Sequence, residues 1–263
     1  MLFDAKSEWP QVSHGRLVCG VLSPEHFGAL TAIAVVASGM VLAARKWPTR
    51  WTLTGAWILA AVLISAEIGW WIYLATSGLS RSELATAFPL QLCDAAIFVA
   101  ALALLLRNQL LVEVTYFWGL AGTLQALITP DLPQHFPSFP FFQYYVAHGG
   151  IVAAALFLVV GLHQWPRRNA VLRVIAITIA YVLLVGAVDA ATGANYMYLR
   201  SKPPTASLFD LMGPWPWYVA WAALLGIALV LVLEAPFRLL HIRDSPQVSS
   251  AHETGAEDEP TLN

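Results

Sequence analysis

Apolar residues fill seven stretches of the chain: 26–44, 52–75, 87–106, 111–129, 141–162, 170–192 and 215–235. Each comes close to the roughly 20 mostly apolar residues that a helix needs to cross a bilayer. Turn chemistry separates them. Lys46-Trp47-Pro48 divides the first two stretches and Arg107-Asn108 the third and fourth. Four prolines between 130 and 140 forbid a continuing helix there. Pro166, Arg167 and Arg168 follow the fifth, and Pro203, Pro204, Pro214 and Pro216 lead into the seventh. Lipid tolerates no unpaired backbone group, so stretches of this length predict helices. The expected fold is all-α: a polytopic bundle of about seven transmembrane helices. Residues 1–25 form an N-terminal segment, 26–236 the membrane domain, and 237–263 a polar acidic tail without fixed structure.

Composition sharpens this picture. Of 263 residues, 58% are hydrophobic and only 11% charged. Soluble domains carry about 25% charged residues, so this chain cannot cover a water-facing surface. Mean hydropathy is +0.65. A net charge of -2 and the lack of a basic stripe point away from nucleic acid. The two cysteines, Cys19 and Cys93, are too few for a disulfide framework. Asp4, Glu8 and Trp9 precede the first apolar stretch, which does not read as a cleaved signal peptide.

Charge also sets orientation. With seven spans, one side holds Lys6, Arg16, Arg81, Arg200 and Lys202. The other holds Arg45, Lys46, Arg50, Arg107, Arg167, Arg168, Arg173, Arg238 and Arg243. Cytoplasmic loops are the lysine- and arginine-rich ones. The N-terminus is therefore expected outside and the C-terminus in the cytoplasm.

The polar residues inside the spans gather near the outer face. Cys93 and Asp94 fall early in the third stretch, and His148 early in the fifth. Glu67 precedes the outer end of the second. At about 1.5 Å per residue, Glu67, Cys93 and His148 share a level roughly 10 Å deep. Asp189 and Asn195 close the sixth stretch, His26 opens the first and Asp210 precedes the seventh. The inward halves read as almost free of ionisable groups. An ionisable group in a span costs roughly 2.5–3.5 kcal/mol on insertion scales, so several at one depth imply a polar cavity facing the bundle interior.

Cys93 and His148 have the chemistry of a nucleophile and its base: an imidazole lowers a nearby thiol's pKa, and the thiolate attacks acyl carbonyls. Gln91, Gln125 and Gln143 supply amide donors for an oxyanion or a lipid head group. Plainer roles exist for each residue. A cysteine in a membrane helix packs as a small side chain. An intramembrane histidine or carboxylate bonds a neighbouring helix. The aromatic residues near 70–73, 116–118, 144–145 and 215–218 read as interfacial belts, and Gly149-Gly150 as a close helix contact. No HExxH or paired CxxC signals a metal, and no cofactor is implied. A retinal receptor needs a lysine in a span, and Lys6, Lys46 and Lys202 all lie outside them. A proton relay through Glu67, Asp94, His148 and Asp189 would instead suit a proton-coupled transporter.

Several short runs together resemble one family. Pro89-Leu90-Gln91-Leu92-Cys93-Asp94 resembles the signature of the YwaF-type bacterial integral membrane proteins. So do Tyr116 through Leu120, Gln125 through Asp131, and His148-Gly149. Asn195-Tyr196 through Leu199, Lys202-Pro203, and Asp210 through Trp215 and Tyr218 look alike too. The resemblance covers about 26–236. That family is similar to eukaryotic transmembrane protein 164, regarded as a cysteine-dependent lipid acyltransferase. The resemblance implies Cys93 as nucleophile and His148 as base. The candidate lipid-binding residues are Gln91, Asp94, Glu67, Gln125, Asp131, Asp189, Asn195, Tyr196, Asp210 and Trp215. Membrane lipids are the expected partners, in a bacterial cell membrane. Gln91 stands where the signature commonly has a histidine, which removes a possible second base. A non-catalytic lipid-binding protein is a third expectation.

Overall fold

The structure, a computed structural model, describes residues 23–47, 50–78, 88–130, 132, 134–203 and 207–243. Asp131 and Cys19 lie outside these residues. Among the described residues seven helices form: α1 (Pro24–Lys46), α2 (Arg50–Thr76), α3 (Leu92–Leu106), α4 (Gln109–Ile128), α5 (Phe139–Gly161), α6 (Ala170–Thr192) and α7 (Trp217–Arg243). No strand occurs among the described residues. All but α3 are long and apolar enough to cross a membrane. The all-α polytopic bundle expected from the hydrophobic pattern is the observed fold.

Local chemistry sets the helix ends. Ser23 caps α1 by accepting from the His26 N–H at 3.2 Å, with Pro24 in the first turn. Asn108 caps α4 through Leu110 at 2.9 Å. Ser138 caps α5 through Phe141. Pro140, expected in a linker, instead sits in the first turn of α5, where its missing N–H would have no intrahelical partner anyway. Gly193 ends α6 at φ +80°, a conformation glycine adopts without a side-chain penalty.

Two ends depart from expectation. The seventh helix was expected to stop at 235 but runs through Pro236 to Arg243. The third stretch was expected to be helical from 87, but residues 88–91 are not helical and α3 starts at Leu92. Pro89 is the cause. It disfavours helical geometry at Phe88, and the Leu90 N–H turns back to the Phe88 carbonyl at 2.8 Å, a three-residue γ-turn. The 15 residues of α3 span roughly 22 Å at 1.5 Å per residue, short of the roughly 30 Å hydrocarbon core.

α5 and α4 form the centre: 72% and 56% of their spans are buried, against 11–22% for α1, α2, α6 and α7. α5 packs on α1, α2, α3 and α4, while α6 and α7 lie against α4 on the other side. The exposed residues of the outer helices, such as Val35, Leu42, Trp57, Leu172, Leu183 and Val232, are large and apolar, as lipid contact requires. The glycine pair fulfils its expected role. A Cβ on Gly149 would lie 2.6 Å from Ile33, and one on Gly150 2.8 Å from Leu63. α1 and α2 therefore approach α5 more closely than any side chain there would permit.

The residues 116–118 are core rather than interfacial belt. Tyr116, Phe117 and Trp118 are buried. The Trp118 indole N–H donates to Thr178 Oγ1 at 2.8 Å, and the Tyr116 hydroxyl to the Leu233 carbonyl at 3.3 Å. The inward half is also less bare than the pattern suggested. Glu113 on α4 is fully buried and accepts five hydrogen bonds from Arg167 and Arg173, at 2.9–3.3 Å. Glu234 pairs with Arg238 one turn along α7.

Candidate functional site

The backbone groups of residues 88–91, ahead of α3, find partners on α6, on the connector between α6 and α7, and in the first turn of α3 itself. The Phe88 N–H donates to the Tyr196 hydroxyl at 3.0 Å. The Leu90 carbonyl accepts from the Tyr181 hydroxyl at 3.0 Å. The Gln91 N–H donates to Asp94 Oδ2 at 3.2 Å, half of a capping box. Gln91 Oε1 accepts from the Met197 N–H at 2.8 Å. Tyr196 is itself fixed, its N–H donating to Asp189 Oδ1 at 2.9 Å. Burial pushes the Tyr196 phenol above its ordinary pKa, so it remains protonated at neutral pH.

Cys93 and Asp94 occupy the first turn of α3 and are half-buried. The Asp94 carboxyl interacts electrostatically with Glu67, Cys93, Tyr181 and Tyr196. Cys93 and Glu67 thus each lie within electrostatic reach of Asp94. The depth count itself does not hold for Cys93, since the residues before Leu92 are not helical. Glu67 is 2% exposed. One of its oxygens accepts from the Trp71 indole at 3.0 Å, and Oε2 has no partner. Asp189 Oδ2 is likewise buried without a partner.

Thr123 completes this cluster, and the sequence reading missed it. Its hydroxyl donates to Cys93 Sγ at 3.9 Å. It ends a wider π-helical turn of α4, Trp118–Thr123, a deformation frequent at functional sites. The signal was present in Gly119 and Gly122, which seat that turn. A Cβ on Gly119 would lie 3.3 Å from Ala155 and Ile151, and one on Gly122 3.2 Å from Leu92. Tyr181 and Trp71 were missed because nothing in their spacing distinguishes them from belt aromatics.

His148 is held separately. Its Nδ1 lies 2.8 Å from the Tyr144 carbonyl, and its ring stacks on Tyr144 with centroids 4.1 Å apart. A carbonyl only accepts, so Nδ1 carries the proton and Nε2 keeps its lone pair when the ring is neutral. The two residues singled out as nucleophile and base are not hydrogen bonded to each other: Cys93 pairs with Thr123 and His148 with Tyr144.

The remaining residues divide. Asn195 braces the connector, donating to the Ser201 carbonyl at 2.9 Å and accepting from the Arg200 and Ser201 N–H groups. Asp210 caps a short turn through the Ser207 N–H at 2.9 Å and lies 3.8 Å from Lys202. The exposed Trp215 donates to the Leu199 carbonyl at 3.1 Å. Gln125 is exposed near the end of α4. His26, buried, bonds the Tyr145 hydroxyl at 2.7 Å and ties α1 to α5. Among the described residues, no three His, Cys, Asp or Glu side chains are grouped to hold a metal.

Residues 21–234 match the TMEM164 family. The chain belongs to that family. The match covers all seven helices except the last turns of α7, and with it Gln91, Cys93, Asp94, Thr123, His148 and the outer connector. No curated protein and no solved structure matches the chain. This TMEM164-family chain is a multi-pass integral membrane protein, with its polar residues converging where α3 starts.

Proposed function

We propose that this TMEM164-family protein transfers or hydrolyses acyl groups of membrane lipids, with Cys93 as nucleophile and His148 as its base. The observation that carries the reading is the position of Cys93. It lies in the first turn of a helix whose preceding residues are bonded to α6 and the connector after it, and its sulfur receives a hydroxyl donor. Helix N-termini favour the thiolate. The first-turn N–H groups of Leu92 and Cys93 have no partner one turn back, so they are placed to hold an oxyanion. His148 supports the reading through its tautomer, which leaves Nε2 free to accept a proton. Substrate binding would bring the two side chains together, since catalytic hydrogen bonds tighten in the Michaelis complex.

In this reaction the thiol proton passes to His148 Nε2 and the sulfur attacks the ester carbonyl. The ester C–O bond breaks, and the leaving alkoxide takes the proton from His148. The acyl group stays on Cys93 as a thioester until a second alcohol, or water, accepts it. In this reading the site faces the outer leaflet of a bacterial cell membrane, with the N-terminus outside and the C-terminus in the cytoplasm. Lipid acyl-chain composition, compared between the parent and Cys93→Ala, Cys93→Ser and His148→Gln, tests this. Altered composition and a thioester adduct trapped on the parent are expected. Unchanged lipids and no adduct would overturn it.

A second reading is favoured by one observation: Glu67 Oε2 is buried and unpartnered beside Asp94. A carboxyl so placed suits a proton-coupled carrier. Uptake into proteoliposomes that requires Glu67 but not Cys93 would select that reading.

A further inference from the structure

Five threonines in or just past the helices follow one habit, while Thr52 bonds the Trp47 carbonyl five residues earlier and Thr115 is buried without a hydrogen-bond partner. Thr31, Thr76, Thr129, Thr178 and Thr192 each return the hydroxyl proton to the carbonyl four residues earlier, at 2.7–3.0 Å. That bond is the ordinary outlet for a hydroxyl inside an apolar helix. Thr123 departs from it. Its residue is fully buried, yet its hydroxyl crosses to α3 and donates to Cys93 Sγ at 3.9 Å. The backbone explains the difference. Thr123 ends the turn Trp118–Thr123, whose hydrogen bonds close over five residues rather than four. The carbonyl four residues earlier, that of Gly119, instead accepts from the Leu124 N–H. Gly119 and Gly122 hold this turn between α5 and α3, with neighbours 3.2–3.3 Å from any Cβ, so the aim of Thr123 is set by packing on both sides.

We propose that Thr123 is a positioning residue for Cys93, aiming its thiol and favouring its thiolate. A neutral thiol is a weak acceptor, whereas a thiolate accepts a charge-assisted bond. The Thr123 hydroxyl, already committed to the sulfur, therefore gains strength when the sulfur loses its proton, without any reorganisation of the buried site. The inference rests on the reading of Cys93 as a nucleophile.

The test measures the thiol directly, in purified full-length protein carrying Cys19→Ser. Cys93 is alkylated with N-ethylmaleimide across a pH series in the parent, Thr123→Val, Thr123→Ala and Thr123→Ser. Loss of a hydrogen bond to a charged group slows alkylation at fixed pH by about tenfold in the valine and alanine variants. The rate–pH curve moves to higher pH, and serine restores the parent curve. Thermal melting identifies a valine variant that fails to fold, in which case alanine, which adds no bulk, carries the comparison. Identical curves in all four proteins would overturn the proposal. Lipid turnover followed in the same variants keeps the two ideas apart. Slowed alkylation with lipid turnover indifferent to Cys93 would overturn the acyl-transfer reading and leave the Thr123–Cys93 relation standing.

Discussion

The side-chain carbonyl of Gln91 accepts the Met197 N–H at 2.8 Å. Together with the bond from the Phe88 N–H to the Tyr196 hydroxyl, it joins the run before α3 to the turn Tyr196–Tyr198 that follows α6. The turn is strained, with Met197 at φ +53° and Tyr198 at φ +55°, and each such residue costs on the order of 1–3 kcal/mol. Gln91 is therefore a clamp on a tense connector. Replacing Gln91 with Leu should destabilise the protein by about 1–3 kcal/mol, because the Met197 N–H loses its partner. Gln91→His should be tolerated, since a neutral ring nitrogen also accepts. Thermal melting in detergent measures both, and equal melting of the leucine variant and the parent would contradict the clamp.

At the opposite end, Glu113 is fully buried between Arg167 and Arg173. Removing one partner of a buried ion pair strands the other charge, at a cost of about 3–5 kcal/mol. Arg173→Ala should lower the melting temperature far more than Arg168→Ala, whose side chain makes no ion pair among the described residues. Combining Glu113→Leu with both arginine replacements should recover much of the loss. A double-mutant comparison that found simple additivity would sink this account.

Gly150 faces Leu63 with no space for a Cβ. Gly150→Val overpacks the α2–α5 contact and should cost about 1–3 kcal/mol. Pairing it with Leu63→Ala should relieve part of the clash. The pair is read by stability in a folded, monodisperse preparation, and no relief would mean the contact is looser than described.

Glu67→Gln keeps an oxygen for the Trp71 indole and removes the buried acid. Stability should change by less than about 1.5 kcal/mol, the scale of one neutral hydrogen bond. Lipid turnover should persist under the acyl-transfer reading, and any proton-coupled uptake should disappear under the other. Turnover assays and proteoliposome uptake on the same preparation decide between them.

The bundle was legible because a run of about 20 apolar residues has few alternatives in lipid. That Glu67, Cys93 and Asp94 are polar exceptions within apolar runs was legible too. Three things were not. Pro89 lies inside an apolar run that reads as continuous helix, so the late start of α3 shows only in the backbone. The wide turn at Trp118–Thr123 leaves no mark on apolar periodicity, and Thr123 passed as one more threonine. The partners of Glu113 lie 54 and 60 residues away, beyond any spacing argument.

The Glu113 cluster also has a history written into it. Arg167 and Arg173 leave the ribosome only after a further 54 and 60 residues have followed Glu113. At about 5–20 residues per second, that delay is roughly 3–12 s. During that interval Glu113 has neither of the arginines that bond it in the folded protein. The bonds that hold its buried charge therefore form only after α5 has been made.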